Sequence, residues 1–150
     1  MNAMKIIHIY TGEGLPKNNV QSAILTSTGF VGDKQRGENH GPPYRDIVIW
    51  SLNRIQELIK EGHPILPGAC GENLVVDGEE YFKLKEDDIL TIGDSILKLT
   101  FPAGPCNNIK EFFTSDMNKI HDTMPRWCCD VIYADNKPIT IGNIINIRKK

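Results

Sequence analysis

Four cysteines occur among the 150 residues, Cys70, Cys106, Cys128 and Cys129, and the surroundings of Cys106 say most about chemistry. It stands in Phe101-Pro102-Ala103-Gly104-Pro105-Cys106-Asn107-Asn108, where two prolines and a glycine set a loop between a strand end and the predicted start of a helix. A thiol beside the exposed amides and positive dipole end of a helix has its thiolate stabilised, and the thiolate is the form that attacks sulfur or binds a soft metal. The same residue also reads as a small buried hydrophobe, and the local pattern leaves both readings open. Cys70, in Pro67-Gly68-Ala69-Cys70-Gly71-Glu72-Asn73-Leu74, and the Cys128-Cys129 pair after Trp127 read first as packing residues. No C-x-x-C pair is present and adjacent cysteines are badly placed to bond each other, so reduced thiols are expected and a closed zinc site is not.

Three further groups of residues can serve a ligand. The stretch from Gly29 to Gly41 combines four glycines with Asp33, Lys34, Arg36 and His40; such a loop can cradle an anion through backbone amides and a guanidinium, although it lacks the spacing of a nucleotide fingerprint. A solvated surface loop with His40 in a turn is the competing reading. Gly71, Glu72 and Asn73 offer close backbone approach together with donors and acceptors, and a simple turn explains them almost as well. Arg126, in Met124-Pro125-Arg126-Trp127, can contact an anion with two parallel bonds or pair with a surface acid.

The elements that must hold these residues are mostly strands. Ile and Val number 26 against 15 for Leu and Ala, a β-branched bias that suits a pleated, half-buried surface. Alternation predicts strands around Ile7 and Ile9, Leu97 to Phe101, and Ile145 and Ile147, with further strands over 24–27, 46–50, 73–76 and 130–133. Seven or so short strands imply a β-barrel or sandwich. Two helices are expected to pack on it. The first, about Ser51 to Glu61, carries Leu52, Ile55, Leu58 and Ile59 on one stripe, with Ser51 as N-cap and Gly62 as stop; the second is about Asn108 to His121. The segments Thr91-Ile92-Gly93-Asp94 and Thr140-Ile141-Gly142-Asn143 predict matching tight turns.

The hydrophobic fraction is 40%, the charged fraction 24% and the net charge −2. These values suit one globular domain over residues 1–150 and exclude a field that grips nucleic acid without sequence preference. The start lacks a secretory signal and no apolar run reaches membrane-spanning length, so a cytoplasmic protein with no membrane partner is the expectation.

Taken in order, Gly29 to Gly41, the strand and helix from Asp46 to Glu61, the block Pro67 to Leu74, Leu90 to Asp94, Gly104-Pro105-Cys106 and Arg126-Trp127 resemble the MOSC domain, the molybdenum cofactor sulfurase C-terminal domain family. The resemblance implies a barrel-like, mostly β fold and makes Cys106 the counterpart of the family's cysteine, which carries sulfur or meets the molybdenum of a pterin cofactor. It matches Asp33 and His40 to the family's glycine-flanked Asp and later His, Gly71-Glu72-Asn73 to its G-E-N block, and Arg126 to the Arg before the final strands. Departures are Pro42-Pro43-Tyr44 after Gly41, Cys70 in place of a common aromatic or small residue, and Cys128-Cys129 after the Trp. The function so implied is molybdopterin binding with sulfur transfer through a persulfide on Cys106. Arg36, Arg126 and glycine-loop amides would hold the pterin phosphate, and His40 or Asp33 would orient charge or protons. The implied partners are a cysteine desulfurase and a molybdoenzyme or cofactor-biosynthesis protein. The family's fused enzymes use pyridoxal phosphate in a separate domain with no counterpart here, so none is expected. The alternatives are a molybdenum-dependent reductase of N-hydroxylated compounds, with Cys106 as metal ligand, and a non-catalytic barrel that binds an anion or a protein.

Overall fold

The computed structural model describes residues 2–14, 16–33, 46–103 and 126–150. Its strands are β1 (Ala3–Thr11), β2 (Asn18–Val20), β3 (Ser22–Thr26), β4 (Gly29–Phe30), β5 (Ile47–Ser51), β6 (Leu74–Asp77), β7 (Ile89–Ile92), β8 (Ser95–Ala103), β9 (Arg126–Tyr133), β10 (Pro138–Thr140) and β11 (Ile144–Arg148). One α-helix, α1 (Leu52–Lys60), follows β5, and a short 3-10 helix spans Glu79–Lys83. Seven strands close a barrel in the order β1-β11-β7-β8-β9-β5-β6, with β6 pairing back onto β1. Closure removes the exposed strand edges that invite aggregation. The length of β1 permits a further pairing: Ala3–Lys5 lie against β11, while Ile9–Thr11 take β2. A small sheet, β10-β3-β4, completes the fold.

The barrel interior is filled as alternation requires, with Leu90 and Ile92, Leu97 and Leu99, and Ile145 and Ile147 all buried. In β1 the expected phase is corrected. The β1–β6 register shifts between Ile6 and His8, so Met4, Ile6 and Ile9 are buried while Ile7 is only half-buried. A bulge adds one residue to the strand and reverses the side on which every later residue falls. The simple alternation of Ile7 with Ile9 therefore fails because the odd spacing from Ile6 to Ile9 spans that bulge.

Strands β5 and β6 run parallel, with Ile49 opposite Leu74, and parallel neighbours need a crossover. Helix α1 supplies it. Ser51 caps the helix, its Oγ accepting from the Arg54 N–H at 3.2 Å, and Gly62 follows the end with φ +100°. Leu58 is fully buried in the core, but Ile59, placed by periodicity on the same stripe, is 49% exposed. The second predicted helix lies outside the described residues.

The two similar turns diverge in use. Gly93, at φ +59°, joins β7 and β8 as a two-residue hairpin with Ile92 opposite Ser95. At the other, Asn143 Oδ1 accepts from the Thr140 N–H at 2.9 Å and the Gly142 N–H donates to the Ile6 carbonyl at 2.8 Å. That turn passes the chain from the small sheet into the barrel, since β10 pairs with β3 and β11 with β1 and β7. No helix among the described residues is long and apolar enough to cross a membrane.

The bulge makes a direct prediction. Ile6→Ala removes a fully buried side chain and should cost about 3 kcal/mol, and Ile7→Ala less than half of that. Urea unfolding of both variants measures the difference, which would reverse if Ile7 were the core residue.

Candidate functional site

The loop before β6 is built by two glycines and one buried acid. Gly68 and Gly71 have φ of +77° and +78°, and a Cβ on Gly68 would lie 2.6 Å from the Lys17 carbonyl oxygen, so no side chain fits there. The Glu72 carboxylate accepts from the Cys70 N–H at 3.0 Å and from the Gly68 N–H at 3.3 Å, pinning the turn from inside. Burial pushes its pKa up; its own backbone N–H, the Arg126 charge and the amides of Cys70 and Gly68 oppose that rise. Arg126, at the start of β9, reaches the same loop and donates to the Cys70 carbonyl. A Cβ on Gly71 would stand 3.7 Å from its Nη1.

Asn73 is the next residue and is completely buried. Its Oδ1 accepts from the Val48 N–H at 2.9 Å, and its Nδ2 donates to the Tyr10 carbonyl at 3.1 Å and to Asp33 Oδ2 at 3.0 Å. Asp33 Oδ1 in turn accepts from Lys17 Nζ at 2.7 Å and the Gly12 N–H at 3.1 Å. Lys17 and Asp33 expose 1% and 4% of their side chains, so this ion pair is withdrawn from water and held by hydrogen bonds. Lys17 closes the circuit through its backbone N–H, which donates to the Gly68 carbonyl at 3.0 Å.

Of the residues singled out by sequence, Asp33, Gly71, Glu72, Asn73 and Arg126 thus belong to one connected network. Cys106, Arg36 and His40 lie outside the described residues. Cys70, Cys128 and Cys129 are all buried, and burial, then the nearby Cys128 and the acids Asp46 and Asp130, pushes the Cys129 thiol well above the ordinary range. These three cysteines pack. Strands β8 and β9 pair Ala103, three residues before Cys106 in the sequence, with Arg126. Among the described residues no three His, Cys, Asp or Glu side chains gather as a metal site would need.

Sequence reasoning missed two residues of consequence. Lys17, in Gly14-Leu15-Pro16-Lys17-Asn18-Asn19, carries no local sign of burial; a lysine in a polar stretch reads as solvated, and only the opposing Asp33 reveals it. In sequence, Asp46 reads only as a strand start. Its Oδ2 accepts from the Val131 N–H at 2.9 Å, and its pKa is pushed up to about 6, first by burial and then by the hydrogen bond and charge of Asp130, against the Val131 amide.

Comparison with known proteins supplies the remaining finding. The family model described as the MOSC domain matches residues 36–142. Among solved structures, the YuaD protein from Bacillus subtilis superposes with a TM-score of 0.74 at 19% identity, over 99% of this chain and 97% of that one. YiiM from Escherichia coli gives 0.67 at 22% identity over 98% and 70%, and YiiM from Geobacillus stearothermophilus 0.73 at 17% over 97% and 75%. No curated protein matches the chain.

Two outcomes follow from the buried charges. Lys17→Met leaves the Asp33 carboxylate buried without its cation and should cost about 3–5 kcal/mol in denaturant unfolding. For Asp46 the folded pKa lies above the ordinary 3.8, so the folded state binds the extra proton. The contribution is complete below pH 3.8 and is lost as pH rises through about 6. Asp46→Asn, which keeps an acceptor for Val131, should flatten the fall in stability across that window.

Proposed function

The chain belongs to the MOSC domain family, which is associated with the molybdenum cofactor, and from that premise we propose that it binds this cofactor and serves as a sulfur carrier through a persulfide on Cys106. The observation that carries the reading is the pairing of Ala103 with Arg126. Ala103, three residues before Cys106 in the sequence, is the strand partner of an arginine whose guanidinium is tied to the glycine loop by the Cys70 carbonyl.

The donor set suits an anionic pterin. Arg126 offers a charge with several N–H donors, and Gly71 keeps the backbone beside it free of a side chain. Arg36 and His40 take the roles argued for them from sequence, as anion contact and proton-handling group. Asp33, Glu72 and Asn73 act at one remove. Their oxygens and amide are engaged with Lys17, backbone amides and one another, so they fix the loop that presents Gly71 and Arg126.

In the transfer step the Cys106 thiolate attacks the outer sulfur of a desulfurase persulfide. That sulfur–sulfur bond breaks, a new one forms on Cys106, and the desulfurase cysteine leaves as thiolate, with no net oxidation or reduction. A low thiol pKa favours this attack, whereas the other cysteines are buried. When bound, the molybdenum supplies the acceptor for the sulfur. A cysteine desulfurase in trans and a molybdoenzyme or cofactor-biosynthesis protein are the partners this reading requires.

Incubation with cysteine and a desulfurase, followed by peptide mass spectrometry, should find one added sulfur on the Cys106 peptide and none in Cys106→Ser. Sulfur on Cys70 instead, or on no cysteine, would remove the carrier assignment. Purified protein that turns over an N-hydroxylated compound with stoichiometric molybdenum and no persulfide would favour a reductase.

A further inference from the structure

The strand registers set Arg126 in a row that crosses the barrel wall. Ala103 of β8 pairs with Arg126 of β9, and Trp50 of β5 pairs with Val75 of β6. Strands β5 and β9 run antiparallel, with Val48 opposite Cys128 and Ile49 opposite Trp127, so the next step of that ladder sets Trp50 opposite Arg126. Residues opposite each other in a ladder put their side chains on the same face of the sheet. Trp50 therefore shares a face with Arg126 on one side and Val75 on the other. That face is the outer one, because Val75 lines a cavity between α1 and the barrel wall.

Trp50 is 2% exposed, and its indole Nε1–H is a buried donor with no hydrogen-bond partner among the described residues. Water satisfies that group in an unfolded chain, and burying it unpaired costs free energy. A phenylalanine or leucine would fill an apolar site without that cost, so packing accounts for the ring and leaves the donor unexplained. The row narrows where the donor points. Val75 lines the cavity beneath α1 and Trp50 does not, so the indole is turned from the β6 side, and its other neighbour in the row is Arg126.

An indole nitrogen donates and does not accept, so the group that would complete it is an oxygen acceptor. Its neighbour selects the charge of that acceptor. Arg126 is half-buried and brings a guanidinium to the same row, with one N–H on the Cys70 carbonyl. The Glu72 acid on the loop is already met by the amides of Cys70 and Gly68. An oxyanion that enters beside Arg126 thus finds two kinds of side-chain donor, one charged and one neutral. The charge attracts it from any direction, and the neutral N–H, which needs an acceptor along its own axis, fixes its orientation.

Resting on the cofactor reading above, we propose that Trp50 is a ligand-binding residue whose indole N–H donates to a phosphate oxygen of the pterin cofactor while Arg126 holds that phosphate's charge.

Nuclear magnetic resonance of the isotope-labelled protein tests the inference. The chain has two tryptophans, Trp50 and Trp127, so two indole N–H signals appear, and Trp50→Phe identifies the first by its loss. Inorganic phosphate should move the Trp50 indole proton downfield and saturably, and neopterin, a pterin without phosphate, should leave it in place. Read from the Gly71 amide shift, phosphate affinity should fall about tenfold in Trp50→Phe, the value of one hydrogen bond to a charged acceptor, and vanish in Arg126→Ala. Phosphate that binds through Arg126 without moving the indole, or with full affinity in Trp50→Phe, overturns the inference and leaves the cofactor reading standing. An indole that answers neopterin and not phosphate does the same. Phosphate binding untouched by Arg126→Ala, or no saturable shift at all, overturns both. Should Trp50→Phe fail to fold, Trp127→Phe assigns the two signals and the indole shift of the unsubstituted protein decides alone.

Discussion

A single buried amide holds the functional half of the molecule in register. Asn73 replaces missing strand hydrogen bonds at the point where β5, β6 and β1 converge: its side chain takes the Val48 N–H, supplies the Tyr10 carbonyl and braces Asp33, while its backbone bonds the Val48 carbonyl and the Tyr10 N–H. An amide has one acceptor and two donors, and all three are used here. A carboxylate at this position would face Asp33 with like charge, and an aliphatic side chain would remove all three of these hydrogen bonds. The steps that follow, from Asp33 to Lys17, from Lys17 to Gly68 and from Gly68 to Glu72, depend on that junction.

Glu72 is the complementary element. It sits on a loop with two left-handed glycines and satisfies the amides of Gly68 and Cys70. One consequence is that Arg126 meets a rigid carbonyl rather than a mobile loop. A second is that the acid becomes a wall between two environments. One is the cationic face by Arg126. The other is the largely apolar cavity under α1, whose lining includes Glu72 and Tyr10. A buried acid of this kind has structural and electrostatic effects that cannot be separated by looking at either face alone.

The barrel explains why such a junction is possible. Antiparallel closure accounts for most of the wall, but the parallel β5–β6 pair demands a crossover, and α1 together with residues 61–73 provides it. The crossover brings the glycine loop to the start of β6 and lays α1 against β5 and β6, so that one connection creates both the loop and the cavity. The β1 bulge then sets which side chains that cavity receives.

How much of this was legible in sequence depends on the range of the interaction concerned. Fold class, the capped helix after Ser51, the hairpin at Gly93 and the importance of Gly71-Glu72-Asn73 were visible because periodicity, caps and left-handed glycines are local properties. Their contacts were not: Glu72 and Asn73 read equally as a binding loop or a simple turn, and only the fold shows Glu72 holding the Gly68 and Cys70 amides and Asn73 reaching Val48, Tyr10 and Asp33. Lys17 and Asp46 were overlooked for the same reason, as burial of a charge is settled by what packs over it. The Ile7 to Ile9 alternation misled because a bulge depends on the pairing of β1 with β6, and pairing belongs to two segments that are about seventy residues apart in the chain. By itself the sequence determined that a mostly β barrel would form and which residue types were at hand; closure of that barrel alone decided which of them would meet, because hydrogen bonding and desolvation act over a few ångströms of space and not along the chain.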